Sequence, residues 1–181
     1  MNLIETALKG CVILEPQIHE DSRGYFSELF NSADFRRVTG QEVEFLQDNQ
    51  SFSFYGVIRA LHYQTGAHAQ AKLVSVLQGR VLDVAVDLRQ GSPTFGKHVA
   101  IELSSQNKRQ MFIPRGFAHG FSVLSESAVF WYKCDNYYNR ASEAGIRFDD
   151  PSLDIDWKIP AGEVILSQKD AALPYLKDAR L

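Results

Sequence analysis

Arg59, His62 and Lys72 fall within a run, Val57 to Leu88, that otherwise alternates like paired β-strands. Two cationic side chains and an imidazole cost free energy beside an apolar interior unless a partner or ligand satisfies them, so this run points to a pocket built on a sheet. Histidine is the side chain best poised for proton transfer near neutral pH, whereas lysine offers fixed positive charge to a developing oxyanion. Arginine matches phosphate geometry with paired hydrogen bonds, which makes Arg59 and Arg23 candidates for a diphosphate. His119, in IPRGFAHGF, supplies a second imidazole, and Tyr132, beside Trp131, carries a hydroxyl that can donate a proton from a dry wall. Each has a plainer reading: a lone strand histidine is usually structural, Lys72 can be a snorkelling edge residue and Tyr132 can be core. For Ser167 and Asp170, three residues apart, the plain reading is a capping box at a helix start. Tyr137 and Tyr138, in the loop CDNYYNRASE, are placed to stack on a base.

These residues sit in a chain of 181 residues with 45% hydrophobic and 23% charged side chains, the composition of an ordinary globular domain rather than a disordered one. We expect one domain spanning residues 1–181. The formal charge is −3 and no lysine or arginine block occurs, which argues against nucleic-acid binding. The amino terminus, MNLIETALKG, lacks the architecture of a secretory signal, and no stretch is apolar enough for a membrane span, so a cytoplasmic protein is expected. Cys11 and Cys134 then read as free buried thiols.

Most segments alternate with period two and are punctuated by Gly, Pro, Asn and Asp, as in all-β folds. Phe26, Glu28 and Phe30 read as one strand face; Val99, Ile101 and Leu103 as another; and Val129, Trp131 and Lys133 oppose Phe130, Tyr132 and Cys134. Leu82, Val84, Val86 and Leu88 alternate with Val81, Asp83, Ala85 and Asp87, a strand with one face buried. Gln78-Gly79 makes the turn before it. His62 is expected to open a loop through Gln64, Gly66 and His68. Two short helices are predicted, one capped by Ser32 and stopped by Gly40, the other capped by Ser167. The economical architecture is a β-sandwich or double-sheet jelly roll with short peripheral helices and a carboxyl-terminal stretch packed against it. Arg59 and His62 have opposite parity, so both can serve one pocket only if a bulge or strand end intervenes.

A metal-binding cupin would need a His-x-His pair followed by a glutamate. Here Tyr63-Gln64 follows His62 and no acid fills the later position in QTGAHAQAKL, leaving His62 and His119 short of the three or four ligands a first-row metal takes unless His68 or another group adds one.

Taken in order, DSRGYFSELF, FLQDNQSFS, GVIRALHYQ, AKLVSVLQGRVLDVAVDLR, GSPTFG, IPRGFAHGF and EAGIRFDDPSLDIDW, together with Trp131-Tyr132-Lys133, resemble the dTDP-4-dehydrorhamnose 3,5-epimerase family over nearly the whole chain. The resemblance implies a cupin-type jelly roll without a metal, a homodimer, no cofactor, and dTDP-4-keto-6-deoxy-D-glucose as substrate. It further implies that His62 is the proton acceptor, Asp170 the carboxylate that orients it, Tyr132 the acid on the opposite face, and Lys72 a cation at the sugar C4 oxygen. His119 would line the same site; Arg23, Glu28, Gln47, Asp48, Asn49, Arg59, Glu143 and Lys169 would contact nucleotide or substrate, and Tyr138 would stack on thymine. Ala60 departs from the family's usual glycine, a change tolerated unless the backbone there needs positive φ. Single-site epimerases or ketoisomerases on related nucleotide sugars and a noncatalytic sugar-nucleotide-binding module are the alternatives. Tyr132 favours the double epimerase, and the presence of both His62 and Tyr132 argues against the noncatalytic module.

Overall fold

The computed structural model describes residues 1–181. Strand-forming alternation resolves into two antiparallel sheets packed face to face. The larger runs in the order β1 (Asn2–Glu5), β2 (Val12–Glu15), β10 (Gln110–Ile113), β7 (Lys72–Gln78), β12 (Ser127–Cys134) and β5 (Gln47–Phe54). The smaller runs β13 (Glu143–Gly145), β6 (Ile58–Gln64), β11 (Phe117–Val123), β8 (Arg80–Asp87) and β9 (His98–Ser104). A separate hairpin, β3 (His19–Asp21) and β4 (Gly24–Phe26), stands apart from both. The expected all-β sandwich is what the chain forms, with only two α-helices, α1 (Ser32–Thr39) and α2 (Gln168–Ala171).

Val74, Val76, Val81, Ala85, Phe121 and Phe130 meet between the sheets in a closed core. Phe121 and Phe130 stack with ring centroids 4.3 Å apart, a pairing that adds roughly 0.5–1.5 kcal/mol to the area they bury. One expectation about β8 fails: the strand is buried on both faces. Leu82, Val84 and Val86 turn outward, where Ile146, Leu153 and Trp157 of the carboxyl-terminal stretch cover them as a second core. Alternation with Asp83 and Asp87 concealed this, because both carboxylates are themselves wholly buried.

β6 carries the bulge that the parity of Arg59 and His62 requires. His119 of β11 pairs with His62, but Phe121 pairs with Arg59, so Ala60 and Leu61 together oppose Gly120 alone. The extra residue turns Arg59 and His62 to the same side and leaves Ala60 and Leu61 both buried. A Cβ at Gly120 would lie 2.7 Å from Ala60 Cβ and 2.7 Å from the Arg59 carbonyl oxygen, which fixes a glycine there. Ala60 itself is not among the residues with left-handed backbone, so its methyl brings no strain.

Local chemistry shifts three other expectations. Asn31, not Ser32, caps α1: its side chain accepts from the backbone N–H groups of Ala33 and Asp34. Gly40 stops the helix at φ 67° as expected. β4 ends at Phe26, so Glu28 and Phe30 lie beyond it and share no strand face with Phe26. His62 lies inside β6, which continues to Gln64 before the turn begins. Cys11 and Cys134 are buried and unpaired.

Candidate active site

At one end of the sandwich the sheets part around a cavity of about 490 Å³. Inward alternation aims Lys72 of β7, Phe130, Tyr132 and Cys134 of β12, and Gln47 and Asn49 of β5 into it from the larger sheet. Arg59 and His62 of β6, His119 of β11 and Glu143 of β13 enter from the smaller one. Tyr138 on its loop, with Lys169 and Asp170 from the carboxyl-terminal stretch, closes the rim.

His62 Nε2 lies 2.9 Å from Asp170 Oδ1. Asp170 stands in the first turn of α2, where Ser167 Oγ accepts from the Asp170 backbone N–H at 3.0 Å. Ser167 therefore caps the helix, while the Asp170 carboxylate is turned to the imidazole rather than back to the cap. Burial works to raise the Asp170 pKa, but the contact with His62 and the Ser167 hydrogen bond outweigh it and hold the group below the usual carboxylate range. An ionised carboxylate only accepts, so Nε2 carries a proton toward Asp170. His62 Nδ1 is shielded and has no hydrogen-bond partner in the protein.

Lys72 is part-buried on the cavity wall and forms no ion pair; loss of solvation lowers its pKa, opposed by the fields of Cys134, Asp83 and Glu143. It lies 5.9 Å from the centre of the Tyr132 ring. Burial raises the Tyr132 pKa, which keeps the phenol protonated as a donor. Arg59 Nε donates to Ser53 Oγ at 3.0 Å, Gln47 Nε2 to Asn49 Oδ1 at 3.0 Å, and Tyr138 OH to Glu143 Oε2 at 2.9 Å. Glu143 also pairs with Lys169, tying β13 to the rim.

Three residues that the family resemblance assigns to ligand contact lie outside the cavity. Asp48 has the opposite parity to Gln47 and Asn49 and pairs outward with Lys133 at 2.7 Å. Arg23 sits on the exposed turn of the β3–β4 hairpin, pairing with Asp21, and Glu28 follows that hairpin, accepting from Asn31 Nδ2 at 3.3 Å. Sequence reasoning in turn missed Asp83, whose Oδ1 lies 2.8 Å from His119 Nε2 at the base of the site. Its signal was an acid alternating in phase with Val81 and Ala85 on a core-facing side. It also missed Gln64, whose Oε1 accepts from the Asn139 N–H at 2.6 Å and whose Nε2 donates to the His68 carbonyl at 3.2 Å, steadying the loop that carries Tyr138. No three His, Cys, Asp or Glu side chains converge as a metal cluster, and His68 does not line the cavity.

The model of the dTDP-4-dehydrorhamnose 3,5-epimerase family matches residues 5–178. The chain belongs to that family. It is 51% identical over 170 residues to the dTDP-4-dehydrorhamnose 3,5-epimerase of Shigella flexneri, covering 94% of this chain and 93% of that one. The crystal structure of the dTDP-4-dehydrorhamnose 3,5-epimerase from Elizabethkingia anophelis NUHP1 superposes with a TM-score of 0.94 at 59% identity, over 98% of this chain and 97% of that one. The Legionella pneumophila Philadelphia 1 dTDP-6-deoxy-D-glucose-3,5-epimerase, solved with dTDP-4-keto-L-rhamnose, has a TM-score of 0.94 at 51% identity, over 98% and 93% of the two chains. Membership makes the protein an isomerase with a cupin-type sandwich.

Proposed function

We propose that the protein inverts C3 and C5 of dTDP-4-keto-6-deoxy-D-glucose to give dTDP-4-dehydro-L-rhamnose, as a homodimer in the cytoplasm. The observation that carries this reading is the placement of His62 and Tyr132 on facing sheets around one cavity, with Lys72 on its wall. A C4 ketone acidifies the hydrogens on C3 and C5, and a cation at the C4 oxygen lowers the cost of the enolate. His62 takes the proton, with Asp170 holding and orienting the imidazole. Tyr132 returns a proton from the other wall, which inverts the carbon. The carbon skeleton is neither oxidised nor reduced overall and the C4 ketone is regenerated each time; each inversion leaves His62 protonated and Tyr132 ionised, and release of the His62 proton to water with uptake of one by Tyr132 resets both for the next carbon.

Arg59, Gln47 and Asn49 are offered as the polar contacts to the nucleotide diphosphate and sugar, and Tyr138, half exposed at the rim, as the platform for thymine. Relatives named for this reaction and a neighbour solved with dTDP-4-keto-L-rhamnose support the choice of substrate. No helix is long and apolar enough to cross a membrane, and two free thiols suit a reducing compartment. The exposed hairpin bearing Arg23 supports the homodimer, since a second copy is what would give that arginine a ligand to meet.

Incubation with the ketosugar nucleotide in deuterated water, followed by NMR, tests the reading. Deuterium should enter at both C3 and C5 with inversion at each. Label at one carbon only would make this a single-site epimerase, and no label at all a binding module. Activity should also survive exhaustive chelation; loss with EDTA and recovery with one stoichiometric ion would reassign the chemistry to a metal.

A further inference from the structure

Beneath Lys72 lies a second histidine–carboxylate pair that the mechanism above leaves unused. His119 Nε2 is 2.8 Å from Asp83 Oδ1, and both side chains are buried. The His119 ring lies nearly parallel to Phe130, with centroids 5.8 Å apart and planes at 25°, so it is packed against turning over. Asp83 Oδ2 has no partner, which makes His119 the one side chain bonded to this carboxylate.

Charge balance decides how the pair is protonated. The Lys72 ammonium on the cavity wall has no carboxylate in ion-pair contact, and Asp83 is among the acids whose field supports it. Another proton on His119, buried and within the field of the Lys72 cation, would add positive charge in a medium that solvates it poorly. Burial accordingly pushes the His119 pKa down, against the pull of Asp83. Because an ionised carboxylate only accepts, Nε2 must carry the ring's proton, and Nδ1 is left as a bare lone pair on a residue that lines the cavity.

We propose that Asp83 is a positioning residue that fixes His119 as a neutral hydrogen-bond acceptor for a hydroxyl of the sugar, making that hydroxyl a determinant of substrate choice. The inference rests on the ketosugar reading above and refines it. A lone pair repels an enolate oxygen, so stabilisation of the oxyanion falls to Lys72, and His119 serves recognition. On the proposed substrate the sugar ring carries donors only at its C2 and C3 hydroxyls, so one of these two is the group His119 reads.

Two measurements test this. Side-chain ¹⁵N–¹H correlation spectra of the full chain at neutral pH, assigned with His119→Gln, should show His119 neutral with its proton on Nε2. A cationic His119, or a proton on Nδ1, overturns the proposal. In the second, kcat/KM is compared between the ketosugar nucleotide and analogues lacking the C2 or the C3 hydroxyl. For the wild type, one analogue should lose at least about 10-fold, the scale of a hydrogen bond left unmatched. In Asp83→Asn the side-chain amide that replaces the carboxylate can donate to His119 Nε2 and move the ring proton to Nδ1, so the discrimination should shrink to within about 3-fold. A folded Asp83→Asn protein with undiminished discrimination overturns the proposal. Should that variant fail to fold, the wild-type spectrum still decides. The spectrum needs no substrate, whereas absent label at C3 and C5 in the wild type would defeat the parent reading alone.

Discussion

His62 and Tyr132 occupy facing walls, and their roles separate experimentally because each step leaves its own isotopic trace. His62→Asn should abolish exchange at both carbons while dTDP binding survives; exchange at either carbon at the wild-type rate would show that another group is the base. Tyr132→Phe keeps the ring that packs near Phe130 but removes the donor. Deuterium should still enter from the His62 side with configuration retained, and doubly inverted product should become scarce. Normal yield of that product would remove Tyr132 from the mechanism. Asp170 acts through His62, so Asp170→Asn should lower kcat by about 10²–10⁴, the span expected when a base loses its orienting carboxylate. The same variant has a signature in stability. The folded-state pKa of Asp170 lies below its unfolded value, so its contribution is present above the ordinary carboxylate pKa and is lost as pH falls through the folded one. Urea titrations should therefore show the wild type ahead by about 1–3 kcal/mol at pH 7, with the gap closing as the pH drops below about 4. A gap that persists unchanged in acid would mean that the carboxylate is not the source.

The bulge in β6 shows what can and cannot be read at the level of elements. Parity alone demanded an irregularity between Arg59 and His62, because period two forbids both from facing one pocket on a regular strand. Its partner was not legible: Gly120 is required only because β11 presses its backbone against Ala60, a contact between residues far apart in the chain. Gly120→Ala should cost about 1–3 kcal/mol of stability and lower kcat/KM, since relief of the clash displaces Arg59 and His62 together. An alanine variant with wild-type urea midpoint and kinetics would show that the bulge absorbs the methyl. The same division holds elsewhere. Ser167 was legible as a cap because the signal is local, whereas the turn of Asp170 toward His62 depends on α2 docking against β6. Asp83 was hidden for the same reason. Alternation set it on the face opposite Leu82, Val84 and Val86, and nothing in the sequence announced that this face turns to the core or that His119 lies beside it. Gln47, Asp48 and Asn49 show the reverse, since alternation by itself sends Asp48 away from its two neighbours.

At the scale of the molecule, one chain does not gather every residue that the family likeness assigns to the ligand. Arg23 is on an exposed hairpin whose neighbours Tyr25 and Phe26 are 57% and 66% accessible, and edge strand β5 turns Phe52 and Phe54 outward as well. Apolar rings exposed in groups mark surfaces that meet another protein, and β5 has a free hydrogen-bonding edge of the kind that pairs with a second strand. A two-fold homodimer would cover such surfaces and allow the hairpin of one copy to reach the cavity of the other, with the same exchange made twice by symmetry. Sedimentation equilibrium should give a dimer at micromolar concentration; a monomer would remove the premise. The reach of Arg23 has a sharper test in mixed protomers. His62→Asn and Arg23→Ala proteins should each be weakly active alone. After unfolding and refolding together in equal amounts, about half of the dimers should be mixed, and each should hold one site with both His62 and Arg23 intact, restoring up to about a quarter of wild-type activity. If Arg23 instead serves its own chain, no mixed dimer contains a complete site, and the mixture should show only the average of its two parents.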